Sequence, residues 1–149
     1  MKNSVLSLLL LVAFGITSCK KTAQVNPELD PKDDPKKVYT LDLQQAKLWL
    51  PGKWKLVKVY ASISNPPVPI VELVINENQI SLIQDGIQTD KVDFDIVKTD
   101  YGLLIKTNAQ PRADNWYVRN PGLYINKNRM FFDLGMAVDG PAYEFTKGL

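Results

Sequence analysis

The chain has 149 residues, 18 basic and 16 acidic, with a net charge of +2, no histidine and one cysteine. That length fits one domain, and a near-neutral balance without a clustered basic face excludes a nucleic-acid footprint. A single cysteine allows neither an internal disulfide nor a cysteine zinc site.

Met1-Lys2-Asn3 is a short basic start. It leads into an apolar run from Val5 to Ile16, centred on Leu8 to Leu11, and then into Ile16-Thr17-Ser18-Cys19. A run of about a dozen residues is too short for a stable helix across roughly 30 Å of hydrocarbon. It fits the apolar region of a signal peptide. The last four residues resemble the lipobox of bacterial lipoproteins: an aliphatic residue, two small ones and Cys. The resemblance implies a signal peptide over 1–18, cleavage before Cys19, and a diacylglyceryl group on the Cys19 thiol. Two or three acyl chains, at about 0.8 kcal/mol per buried methylene, make such an anchor effectively permanent.

Residues 19–37 read as the lipidated Cys and a disordered tether. From Lys20 on, the segment has no aromatic residue, carries Pro27, Pro31 and Pro35, and mixes Glu28, Asp30, Asp33 and Asp34 with lysines. It cannot bury enough apolar surface to offset its ordering entropy, and as a coil it reaches roughly 20–25 Å. Lys20-Lys21 lack the Asp at the second position that retains many Gram-negative lipoproteins in the inner membrane. The resemblance therefore points to the outer membrane. No acidic run of the kind that exports some Bacteroidetes lipoproteins follows Cys19, which points to the periplasmic face before the cell surface.

The folded domain is expected over 38–149. A short helix opens it, with Thr40 as N-cap, Asp42 in the first turn, and Leu43, Ala46 and Leu50 on one face. Pro51-Gly52 ends it. Eight short strands follow, over 53–62, 70–76, 79–84, 91–98, 102–107, 116/122–125, 129–134 and 142–147. Turn residues such as Asn65-Pro66-Pro67, Asp85-Gly86, Asn126-Lys127-Asn128 and Asp139-Gly140 separate them. Val92, Phe94 and Ile96 share a face opposed by Asp93 and Asp95, and Met130, Phe132 and Leu134 oppose Arg129 and Asp133. Each such strand covers a core on one side. An all-β, antiparallel, eight-stranded up-and-down barrel removes the exposed edges; a two-sheet sandwich is the alternative.

Leu50-Pro51-Gly52-Lys53-Trp54-Lys55-Leu56-Val57 resembles the opening of lipocalin-like (calycin) domains, where a short helix leads into Gly-x-Trp on the first strand. Asp139 to Lys147 is similar to the last strand of small lipocalin-like domains in Bacteroidetes lipoproteins. The resemblance spans Leu50 to Lys147 in order and implies a barrel-end Trp–cation pair, Trp54 with Lys147. A contact of this kind contributes about 0.5–2 kcal/mol. The domain is shorter than a full lipocalin and shows no second or third lipocalin motif, so its cavity is expected to be small or filled.

No enzyme is expected. The commonest general base, His, is absent, Cys19 is taken by lipid, and no nucleophile or phosphate-loop motif appears. Asp90, Asp93 and Asp95 read as a solvated face. No metal site or cofactor is expected. If a cavity exists, Leu56, Phe94, Ile105, Phe132 and Phe145 line the barrel interior, and the ligand is small and hydrophobic. If the barrel is filled, the domain acts through its loops as a protein-interaction or inhibitor subunit of an envelope complex. Arg112, Trp116, Tyr117 and Arg119 would then form the partner rim, since Trp, Tyr and Arg are enriched at hot spots. Trp116 packed beneath its own loop is the other reading of that group.

Overall fold

None of these short amphipathic strands can bury its apolar face alone, and in the computed structural model they close on one another. Residues 39–148 are described. The expected signal peptide, Cys19 and tether lie outside the described residues. Helix α1 (Leu43–Trp49) precedes β1 (Gly52–Tyr60), β2 (Val71–Ile75), β3 (Gln79–Gln84), β4 (Ile87–Thr99), β5 (Gly102–Thr107), β6 (Gly122–Ile125), β7 (Arg129–Asp133) and β8 (Ala142–Lys147). Each strand pairs antiparallel with the next, and β8 returns to β1, so the sheet is a closed eight-stranded barrel in up-and-down order. The arrangement is consistent with a lipocalin-like barrel. The two-sheet alternative does not form.

Local chemistry explains where the elements differ from the sequence reading. Asp42, not Thr40, caps α1: its Oδ1 accepts the Gln45 backbone N–H at 2.8 Å. The Thr40 backbone is occupied elsewhere, donating to the Ile125 carbonyl at 2.9 Å and docking the incoming chain on β6. Strand β4 starts at Ile87, earlier than expected, because Asp85 (φ 50°) and Gly86 (φ 80°) make a two-residue turn with positive φ at both positions. Such turns match the twist of the flanking strands and carry pairing to their edge. Lys58 interrupts the alternation of β1 because a bulge between Leu56 and Lys58 resets it. Trp116–Val118 forms a 3₁₀ turn instead of extending a strand.

Alternate residues of every strand point inward. Leu73, Ile80, Leu82, Ile105, Met130 and Phe132 are fully buried, and Phe132 meets Phe145 edge to face at 5.4 Å. Side chains without accessible surface leave no water-sized void beside them, so this part of the interior is packed solid, as an eight-stranded barrel can be. Among the described residues, the closed sheet and its core are built from residues 40–148.

The barrel has two unlike ends. The base carries α1, the start of β1, and the tight β2–β3, β4–β5 and β6–β7 turns. The loop end carries the 61–70, 85–86, 108–121 and 134–141 connections.

Candidate functional site

At the base, Trp54 and Leu50 are buried and α1 lies across the opening. The Trp54 indole N–H donates to the Leu50 carbonyl at 2.8 Å. Lys147 stands over the indole with Nζ 5.0 Å from the ring centre and donates to the Trp49 carbonyl at 2.6 Å. Partial burial lowers the Lys147 pKa. Gly52 has to be glycine here. Its φ is +137°, and a Cβ would sit 2.9 Å from Lys147 Cε. The Gly-x-Trp spacing thus makes room for the cation that covers the ring.

Of the expected ligand-lining residues, Leu56, Ile105, Phe132 and Phe145 sit inside the barrel and are buried in the core. Phe94 is only half-buried. It faces a cleft of about 380 Å³ beside α1, shared with Leu48, Leu50, Pro51 and Ile96.

The loop end is closed by a polar hub. The Asn115 side chain is completely buried, yet all its bonds are made. Its Nδ2 donates to Asp90 Oδ2 at 2.8 Å and to the Gln110 carbonyl at 2.7 Å. Its Oδ1 accepts the Arg112 backbone N–H at 3.1 Å and Arg119 Nε at 2.9 Å. Arg112 also grips Asp114 at 2.9 Å and the Thr89 carbonyl at 2.8 Å. The Asp114 hydrogen bond raises the Arg112 pKa, and the same bond lowers that of Asp114. The 108–121 connection is thereby fastened across the barrel.

Asp90 corrects the sequence reading. Asp93 and Asp95 are exposed, but Asp90 lies opposite inward-facing Leu82 and is the acceptor that holds Asn115. It has the same parity along β4 as Val92, Phe94 and Ile96, which was the available signal. Asn115 had none, because a buried amide in a polar loop looks like any other loop residue.

The rim residues divide. Trp116 is 47% exposed, with the Arg119 guanidinium 4.1 Å from its ring centre. Tyr117 instead packs at 4.6 Å against Tyr143 of β8, so it plugs the barrel. Burial, with a smaller contribution from Tyr117, pushes the Tyr143 pKa up to about 12; burial also raises that of Tyr117. Around this closure stand Ile63, Val68, Ile70, Ile87, Trp116 and Val138, all exposed. A cleft of about 540 Å³ opens between the 61–70 and 134–140 loops, lined by Tyr60, Pro66, Val68 and Met136 among others.

One cluster on the outer wall was not foreseen. Glu144 is buried between Arg129 Nη1 at 2.7 Å and the Tyr60 hydroxyl, which donates to it at 3.0 Å. Phe131 is buried beside Tyr60 and Tyr124. Among the described residues, no group of three or more His, Cys, Asp or Glu side chains could hold a metal ion. No protein-family model, curated protein or solved structure matches the chain.

Proposed function

We propose that the domain is the partner-binding head of a lipoprotein anchored through Cys19 in the cell envelope, acting as a filled barrel that grips another envelope protein with its loop end. The observation that carries this reading is the gathering of six large exposed apolar side chains, Trp116 among them, around that one end. Exposed apolar clusters mark interaction surfaces more often than singly scattered residues do. The packed interior moves apolar contact to the surface, and the larger exposed set is the one at the loops. The 61–70 loop, with Pro66, Pro67 and Pro69, holds its part of the rim with little entropy left to lose on binding.

The test places aspartate in the rim. Ile87→Asp with Val138→Asp should leave the domain folded and shift its envelope complex on native gels to the size of the free lipoprotein. An unchanged complex would remove the loop end from consideration.

A second reading, a small hydrophobic ligand, is favoured by the Phe94 cleft beside α1. Its volume of about 380 Å³ is within the range of small-molecule sites, roughly 300–1,000 Å³. Native mass spectra of the domain after exposure to an envelope extract separate the two. A discrete added mass of a few hundred daltons, lost on Phe94→Asp substitution, would put the cleft first.

A further inference from the structure

Of the large apolar side chains that are exposed among the described residues, a second and smaller set sits at the base. Leu41 is 58% exposed, Leu48 75% and Tyr101 77%. Leu48 lies on the exposed side of α1, whose other side buries Ala46, and Leu41 stands just before the Asp42 cap of the same helix. Leu41 lies against the β4–β5 turn that carries Tyr101, its Cδ2 falling 3.9 Å from where a Gly102 Cβ would be. All three stand at the base, Leu41 beside the turn that carries Tyr101 and Leu48 on α1 next to Lys47.

The place where the chain arrives says what meets this set. Tyr39 packs on Tyr124 at 6.1 Å, and Thr40 is fixed to Ile125. The preceding residues thus join the domain at the base. Between Cys19 and Tyr39 lie residues 20–38, the stretch that the sequence reads as a tether, with an expected reach of about 20–25 Å. A tether of that length holds its two ends together at an effective concentration of about millimolar. A contact too weak to form between separate molecules then forms readily. Leu and Tyr are side chains that settle at the lipid–water boundary.

The geometry points to the base as a membrane-seating face: Leu41, Leu48 and Tyr101 dip into the lipid headgroup boundary and turn the loop end away from the bilayer. This rests on the anchor reading of Cys19, so the test supplies its own anchor. Residues 20–149 contain no His and no Cys. An N-terminal polyhistidine tag on nickel-chelating lipid therefore attaches the chain at one point, and one introduced cysteine carries an environment-sensitive NBD dye. The vesicles are phosphatidylethanolamine and phosphatidylglycerol.

Dye at Gln44→Cys should brighten at least about threefold and shift to the blue when the chain is bound to vesicles. Dye at Ile87→Cys should not change. Leu41→Ser, Leu48→Ser and Tyr101→Ser together should return the Gln44 dye to its value in water. The comparison of the two dye positions needs no substitution at these three residues, so it stands even if the triple variant fails to fold. A Gln44 dye that stays in water, or an Ile87 dye that brightens instead, overturns the proposal. Labelled palmitate at Cys19 in cells tests the anchor reading separately.

Discussion

The two ends of this barrel are closed by different chemistry. The base is shut by apolar packing, with Leu50 and Trp54 buried under α1 and one cation, Lys147, laid over the indole. The loop end is shut by hydrogen bonds, with Asn115 tying the 108–121 connection to Asp90 and to both neighbouring arginines. Apolar closure tolerates small shifts, because dispersion and burial have little directionality. A hydrogen-bonded closure fixes one loop shape and fails as a unit if a partner is lost. The end proposed to present a defined face to a partner is the one built the second way.

Breaking the base should cost most. Trp54→Ala removes a fully buried ring and its bond to Leu50, and should lower stability by about 3–5 kcal/mol in urea unfolding. Asn115→Ala strands the buried side of Asp90 and should cost about 2–3 kcal/mol. Its loss should fall on the loop end, with hydrogen exchange faster in 108–121 and unchanged in α1. Equal acceleration at both ends would mean that the two closures are coupled.

The ends should also part company in alkali. The Tyr143 pKa is raised to about 12, above its ordinary value of 10.0. The stability this represents is fully present below about pH 10 and is lost as pH rises towards 12. A two-unit shift corresponds to a few kcal/mol, about 2–3. Lys147 has the opposite sign. Its pKa is lowered from 10.5 by burial, so the cost of seating its charge fades as pH approaches 10.5. Unfolding curves across this range should show stability falling above pH 10, less steeply in Tyr143→Phe. The smallest change in stability is expected at the rim, where Ile87→Asp and Val138→Asp should each stay within about 0.5 kcal/mol of the parent.

Much of this was legible in the chain. Period-two alternation and turn residues placed eight strands in order, because a half-buried strand cannot hide its pattern. Gly52-Lys53-Trp54 and Lys147 were placed at the base by the resemblance to lipocalin-like domains, and the structure supplies the reason, backbone room at Gly52 beside the cation that covers the ring. The loop end was legible only in its inventory. Trp116, Tyr117 and Arg119 stood out by type, but the direction each points depends on Asn115 and on the register of β4. Nothing local encodes that register. The burial of Glu144 and Phe131 on the outer wall likewise arises only when β1, β7 and β8 meet.

The most direct measurement is photo-crosslinking in cells, with benzoylphenylalanine placed in turn at Ile87 and Val138 on the loop end, at Leu48 on the base and at Val97 on the barrel wall. The expected result is one discrete protein adduct from Ile87 and Val138, no protein adduct from Leu48 or Val97, and loss of the Val138 adduct when Ile87→Asp is added. Adducts spread evenly over wall and ends, or none at the loop end, would contradict a partner-binding head.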